Sequence, residues 1–166
     1  MLRRKVSLSP GFGSMSRAPI QRILQPWWRL TRGLTLGVRA AVADERGQVL
    51  LVRHSYVPGW DLPGGGVERR ETVGEALARE LVEEGGIVLT GPARLMAIYA
   101  NHRHFPNDHV ALFIAGTWQR RCDWQPGREI AEAAFFALDA LPPDVTSATR
   151  RRLAEIYQGV AVAAEW

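Results

Sequence analysis

Residues 65–87, GGVERRETVGEALARELVEEGGI, decide the fold. Four carboxylates, Glu71, Glu80, Glu83 and Glu84, follow the glycine cluster Gly64-Gly65-Gly66, and Arg79 precedes the last three. Residues at i, i+3 and i+4 share one face of a helix, so Glu80, Glu83 and Glu84 project together. Unpaired, three such charges repel one another at neutral pH, and a divalent cation removes that penalty. Hard oxygen donors of this kind suit magnesium or manganese rather than zinc. The expected helix spans Thr72 to Glu84. Thr72 with Glu75 three residues on has the form of a capping box. Val73, Leu77 and Leu81 give a buried stripe, and Gly85-Gly86 stop the helix because glycine tolerates the left-handed closing conformation.

Outward from this helix the chain reads as strands. LTLGVRAAVAD (34–44) and QVLLVRH (48–54) alternate or run apolar and are joined by the turn Glu45-Arg46-Gly47. A short strand at 60–62 leads into the glycine loop. Further strands are expected at 87–89, 93–101, 109–118 and 133–138, and a closing helix at 147–157 with Leu153 and Ile156 inward. Residues 19–30, PIQRILQPWWRL, read as an amphipathic helix interrupted at Pro26, with Trp27 and Trp28 packing on the domain. Strands on both sides of a central helix, then a closing helix, imply an α/β domain with a mixed sheet covered on both faces.

A chain of 166 residues with 46% apolar and 23% charged residues suits one globular domain, here 19–166. Residues 1–18, rich in Ser, Gly, Pro and Arg, are expected to form a mobile basic arm, with Met15 an alternative start. A single cysteine, Cys122, excludes an intramolecular disulfide framework and fits a reducing compartment, so the cytoplasm is the expected location. No apolar run approaches the ~20 residues of a membrane span. The net charge of +4 gathers near the ends, at Arg3, Arg4, Lys5, Arg17, Arg22, Arg29 and Arg32 and at Arg150, Arg151 and Arg152. Such flanks read equally as solvated surface or as an attraction for polyphosphates.

The 65–87 stretch resembles the Nudix box, Gly-x5-Glu-x7-Arg-Glu-U-x-Glu-Glu-x-Gly-U, with U a bulky aliphatic residue. Gly65, Glu71, Arg79, Glu80, Leu81, Glu83, Glu84, Gly86 and Ile87 fill every specified position. A chance match at a given start is on the order of one in a billion at ordinary residue usage. Trp60-Asp61-Leu62-Pro63-Gly64 is similar to the family's lead-in. Two residues depart from it: Arg70 stands where relatives commonly have glycine, and Gly85 where many have threonine. Neither is a ligand position, so loop conformation rather than chemistry is affected.

The resemblance implies a Nudix α/β/α sandwich. It also implies a magnesium-dependent (or manganese-dependent) hydrolase that cleaves the pyrophosphate linkage of a nucleoside diphosphate joined to a further group, X. Glu80, Glu83 and Glu84 are then the metal ligands, with the Gly64 carbonyl as a fourth. Either Glu80 or Glu83 serves as base. An Arg79–Glu71 ion pair steadies the loop against the helix. The expected partner is a small nucleotide, with no membrane and no nucleic acid, and a homodimer stays open. Competing readings are a nucleotide-metabolite sensor without turnover, whose box carboxylates are usually eroded, and a prenyl diphosphate isomerase, which needs a suitably placed cysteine and acid.

Outside the box the candidates are individually weaker. Arg53 offers a fork for a terminal phosphate, beside His54. Glu129 and Glu132 are candidates for an extra acid beyond the box, ahead of Asp108 and Asp123. Trp60 and Phe105 are candidates for stacking on a base, with core packing the better reading of Trp60. His102 and His104 share a strand face but lack a third soft ligand for zinc. Cys122 has no evident activating partner.

Overall fold

Alternation along the first strands sorts the core into two layers. The computed structural model describes residues 33–103 and 105–166. In β1 (Thr35–Ala41) and just beyond it, Val38, Ala40 and Val42 face one cluster and Ala41 the other. In β2 (Val49–His54), Leu50 faces the first cluster and Val49 and Leu51 the second. The period of two in an extended chain makes this division. The first layer is closed by Ala76, Leu77 and Leu81 of α1 (Val73–Gly85), the second by Leu153 of α2 (Ser147–Tyr157). One helix on each side of the strands is the sandwich that the sequence implies.

The remaining strands are β3 (Trp60–Asp61), β4 (Ile87–Leu89), β5 (Arg94–Ala100), β6 (Asp108–Ile114), β7 (Trp118–Arg120) and β8 (Ile130–Phe136). They form three small sheets, ordered β1-β6-β5, β3-β2-β8 and β4-β7. The first is mixed: β1 runs parallel to β6, and β5 antiparallel to it. The expected strand at 109–118 is therefore two strands. Gly116 lies so close to the Pro92 backbone that a Cβ would clash, and beyond this crossing the chain pairs with β4 rather than β1. The strand expected at 133–138 starts earlier, at Ile130, and ends at Phe136.

The box helix is built as its sequence dictates. Thr72 accepts from the Glu75 N–H while Glu75 accepts from the Thr72 N–H, a complete capping box. Gly86 closes the helix in the left-handed conformation, φ 66°, donating to Leu81 and Val82 carbonyls. Both departures from the family pattern have a physical reading. Arg70 takes a left-handed φ of 69°, a conformation glycine adopts without penalty. At Gly85 the space of a side chain is filled by Leu50, whose Cδ2 would lie 2.7 Å from an added Cβ.

Helix α2 holds a buried charged brace that the sequence reading placed on the surface. Arg152 is fully buried and donates to Glu155 at 2.7 Å and to the Glu165 carbonyl at 2.9 Å. Tyr99 donates its hydroxyl to the other Glu155 oxygen at 2.7 Å, and Arg152 lies 4.1 Å over the Tyr99 ring. The following segment is tied to the end of β5: Ala100 donates to Ala164 and accepts from Trp166. The helix expected at 19–30 with Trp27 and Trp28, the 1–18 arm and His104 lie outside the described residues.

Candidate active site

The loop Pro63–Val67 lies along β1 as an irregular neighbour. Val38 donates to Gly65 at 2.8 Å, Ala40 to Pro63 at 3.0 Å, and Val67 donates to Leu36 at 2.9 Å. Gly64 permits this approach. Its φ is 140°, and a Cβ there would collide with the Val38 carbonyl and Arg39 Cα. Gly65 is similarly pressed on the Glu80 carboxylate. Backbone and acid are thus brought together by the two glycines.

The three box acids of α1 differ in environment. Glu80 and Glu84, one turn apart, are 9% and 7% exposed. The Glu83 side chain is 58% exposed. Glu84 accepts from the Gly64 N–H at 2.6 Å, and its other oxygen is 3.7 Å from His54 Nε2. Burial pushes the Glu84 carboxyl up to about 7, against the opposing Gly64 N–H and Arg39 charge. Burial, then the Arg39 charge, also pulls His54 below its ordinary value, so the imidazole is neutral at pH 7.

Arg79 is the hub. Its Nε and one terminal nitrogen donate to the two Glu71 oxygens at 2.9 and 3.0 Å, a bidentate fork. The same nitrogen donates to the Gly66 carbonyl at 3.0 Å, and the other terminal nitrogen to Glu80 at 2.7 Å and Glu83 at 3.3 Å. Glu71 also accepts from the Glu68 N–H at 2.9 Å. The Arg79 hydrogen bonds hold the Glu71 carboxyl below the usual carboxylate range. The expected Arg79–Glu71 pair is present, and through Gly66 it joins loop to helix.

Arg39 is a residue the sequence reading missed. It donates to the carbonyls of Leu62, at 3.0 Å, and Gly64. The Gly64 carbonyl thus already has a donor, and a cation there needs its second lone pair or the departure of Arg39. The available signal was a lone arginine in the apolar run VRAAVA of β1.

Among the described residues, no three His, Cys, Asp or Glu side chains converge closely enough to hold an ion in this conformation. The donor set nonetheless fits a hard divalent cation. Three carboxylates, Glu71, Glu80 and Glu83, share the one Arg79 guanidinium, and Glu84 is buried with only a peptide N–H as a hydrogen-bond donor. Glu83 is exposed and bonded to Arg79 at 3.3 Å.

The weaker candidates separate. Arg53 and Glu132 pair with each other at 2.7 Å across β2 and β8. Trp60 is 6% exposed and packs edge-on to Phe136, in the core. Glu129 is near enough to Glu84 and His54 for its charge to act on both. Phe105 is 66% exposed. Asp108 is bonded to Thr35 and Asn101, and Asp123 to Arg121. His102 packs edge-on to His109. Cys122 is exposed.

This fold and this arrangement of acids are those of the Nudix class. Residues 33–156 match the NUDIX domain family, and the chain belongs to that family. A crystal structure of a MutT NUDIX hydrolase from Burkholderia pseudomallei superposes with a TM-score of 0.63 at 29% identity, covering 74% of this chain and 97% of that one. An ADP-ribose pyrophosphatase from Streptococcus suis 89-1591 gives 0.57 at 27% identity, covering 78% and 96%. In sequence, the chain is 38% identical over 110 residues, 64% of its length, to a Bacillus subtilis (strain 168) protein whose name assigns it provisionally to the ADP-ribose pyrophosphatases. It spans only 51% of that relative's length. An ADP-ribose pyrophosphatase of Methanocaldococcus jannaschii is 31% identical over 61% of each chain. Among the described residues no helix is long and apolar enough to cross a membrane.

Proposed function

We propose that this chain is a magnesium-dependent, or manganese-dependent, pyrophosphohydrolase of a nucleoside diphosphate linked to X. The observation that carries the reading is the burial of Glu80 and Glu84 against the glycine loop, with Glu83 exposed one turn edge away. Relatives are named an ADP-ribose pyrophosphatase, an RNA pyrophosphohydrolase and, provisionally, an 8-oxo-dGTP diphosphatase. What these substrates share is a phosphoric anhydride, and the choice among them defines X.

Glu80, Glu83, Glu84 and the Gly64 carbonyl are the residues that would hold the cation. When bound, it neutralises phosphate charge and lowers the barrier to attack by water. Arg79 fixes Glu80 and the loop in register. Glu83 reaches solvent and is only loosely tied, so it is the better placed of the two candidate bases. Water oxygen bonds to phosphorus, the anhydride oxygen leaves on the other phosphate, and the proton of the water passes to Glu83. Arg39, bonded to the Gly64 carbonyl, is a basic group beside the loop and would meet a phosphate oxygen. Cys122 is exposed, and the complete acid set speaks against a sensor without turnover. The single cysteine supports a place in the cytoplasm.

Purified protein offered ADP-ribose, nucleoside triphosphates and dinucleoside polyphosphates, with and without magnesium, tests this. Turnover should require the metal and fall by orders of magnitude in Glu83→Gln at unchanged fold. Failure to hydrolyse any of them, or a Glu83→Gln variant as fast as its parent, overturns the reading.

A further inference from the structure

β2 aims one polar side chain at the box helix. Leu50 packs into the layer closed by α1, and side chains at even spacing along a strand share a face. His54, four residues on, continues that face beyond the apolar run. It arrives at the last turn of α1 with Nε2 3.7 Å from one oxygen of Glu84. Both side chains are covered, at 11% and 10% exposed.

The ring is held on either side. The register of β2 with β8 skips a residue beside it, from Arg53 opposite Glu132 to His54 opposite Ile130. Such irregularities re-aim side chains next to sites. The following residue, Ser55, donates its N–H to the Glu129 carbonyl at 2.9 Å and its hydroxyl to the Arg128 carbonyl at 2.6 Å. The Tyr56 ring tilts against the imidazole at 5.4 Å between centroids. Yet no hydrogen bond accounts for the placement of the imidazole. The 3.7 Å contact is longer than one, and Nδ1 is buried with no partner among the described residues. A covered polar group is normally bonded, so this one needs a reason.

Glu84 supplies it. One of its oxygens accepts from the Gly64 N–H at 2.6 Å, while the oxygen facing His54 has no donor among the described residues. A carboxylate that holds a cation only accepts, and each oxygen offers two lone pairs. An imidazole N–H on one lone pair leaves the other for the cation and fixes its direction. A shift of about 1 Å closes the contact, and bonds of this kind commonly tighten only when a site is loaded. Magnesium prefers oxygen donors, so the imidazole is suited to supporting a ligand rather than to being one.

We propose that His54 is a positioning residue, whose Nε2–H donates to Glu84 when the cation is bound and holds that carboxylate at the angle the cation needs. The inference rests on the proposed hydrolase reading, whose cation it concerns.

Manganese uptake by the full chain, read from the paramagnetic resonance of the free ion, tests this apart from turnover. His54→Gln places an amide N–H at the depth of Nε2 and should keep the parent's affinity. His54→Asn is equally polar but too short to reach Glu84, and His54→Leu keeps the bulk without a donor. Each of these two should bind the ion about 10- to 100-fold more weakly. The magnesium needed for half-maximal turnover should rise by the same factor in both and not in His54→Gln. Val57→Ser, exposed on the loop after β2, should match the parent. His54→Asn carries the comparison where His54→Leu does not fold.

Parental affinity in His54→Asn overturns the proposal, and so does an equal loss in His54→Gln and His54→Asn, which would make the ring's shape the only requirement. Directly bound nitrogen in the spin-echo spectrum of the manganese-loaded parent overturns it too, by making the imidazole a ligand. Any of these with magnesium-dependent hydrolysis intact leaves the hydrolase reading standing. The expected pattern in a protein that hydrolyses no phosphoric anhydride sinks that reading alone, and a parent that takes up no manganese sinks both.

Discussion

Arg39 and Glu84 grip one peptide residue by its two polar groups: Arg39 donates to the Gly64 carbonyl and Glu84 accepts from the Gly64 N–H at 2.6 Å. The loop is thereby tied to β1 on one side and to α1 on the other before any cation arrives. The two side chains also explain why Glu84 tolerates burial, since both contacts favour its charged form while desolvation opposes it.

Metal-free protein should lose stability as pH rises through about 7. The folded Glu84 carboxyl sits above its ordinary value of 4.5, so its contribution is complete below that ordinary value and disappears as the pH passes the folded one. The loss for this one group is on the order of 3 kcal/mol at alkaline pH. Calorimetric Tm in chelator should fall between pH 5.5 and 8.5, Glu84→Gln should flatten the profile, and magnesium should restore stability at pH 8. A Tm that climbs over that range would contradict the burial account.

Arg79→Lys should lower turnover about 10- to 100-fold with the charge preserved, the usual consequence of disturbing a metal ligand's support. A lysine cannot reproduce the fork that meets Glu71, Gly66 and Glu80 together. Steady-state kinetics across a magnesium titration measures the effect. Parental turnover in this variant would show that the fork is incidental.

Arg70→Gly should stabilise the protein by about 0.5–1 kcal/mol, because it relieves a left-handed backbone at a non-glycine residue. Urea denaturation at matched pH reads the difference. An unchanged or lower midpoint would mean that the arginine side chain contributes as much as its backbone costs.

Tyr99→Phe should destabilise by about 1–3 kcal/mol and leave metal-dependent chemistry alone. The variant removes the hydroxyl that donates to the buried Glu155 carboxylate. Thermal denaturation beside an activity assay separates the two effects, and a Tm equal to the parent's would show that the brace does not need this bond.

Local signals made the box helix legible. Thr72 and Glu75 mark its start, Gly86 its end, and the period of Leu77 and Leu81 its buried side. The acids were legible as a set but not as individuals. Spacing puts Glu80, Glu83 and Glu84 on one side of a helix, yet only the glycine loop lying along β1 decides that Glu80 and Glu84 are covered while Glu83 is open. Arg53 and Glu132, each read singly as a site candidate, meet because β2 pairs with β8, 79 residues away. Arg152 looked like one of three surface arginines. It is buried because Tyr99, on a strand distant in sequence, presents its ring to Arg152 and its hydroxyl to Glu155, the carboxylate Arg152 pairs with. The break between β6 and β7 has the same origin, a backbone crossing at Pro92 and Gly116 that no local pattern encodes.

The docking of residues 163–166 on Ala100 has a consequence for how this molecule comes apart. Peeling that segment from the sheet would strip Arg152 of the Glu165 carbonyl and Glu155 of the Ala163 N–H, leaving a buried ion pair with fewer of its hydrogen bonds met. The stretch is therefore fastened from within, and the amides of Ala163 and Trp166, each bonded to the body of the domain, should trade their hydrogens with solvent slowly.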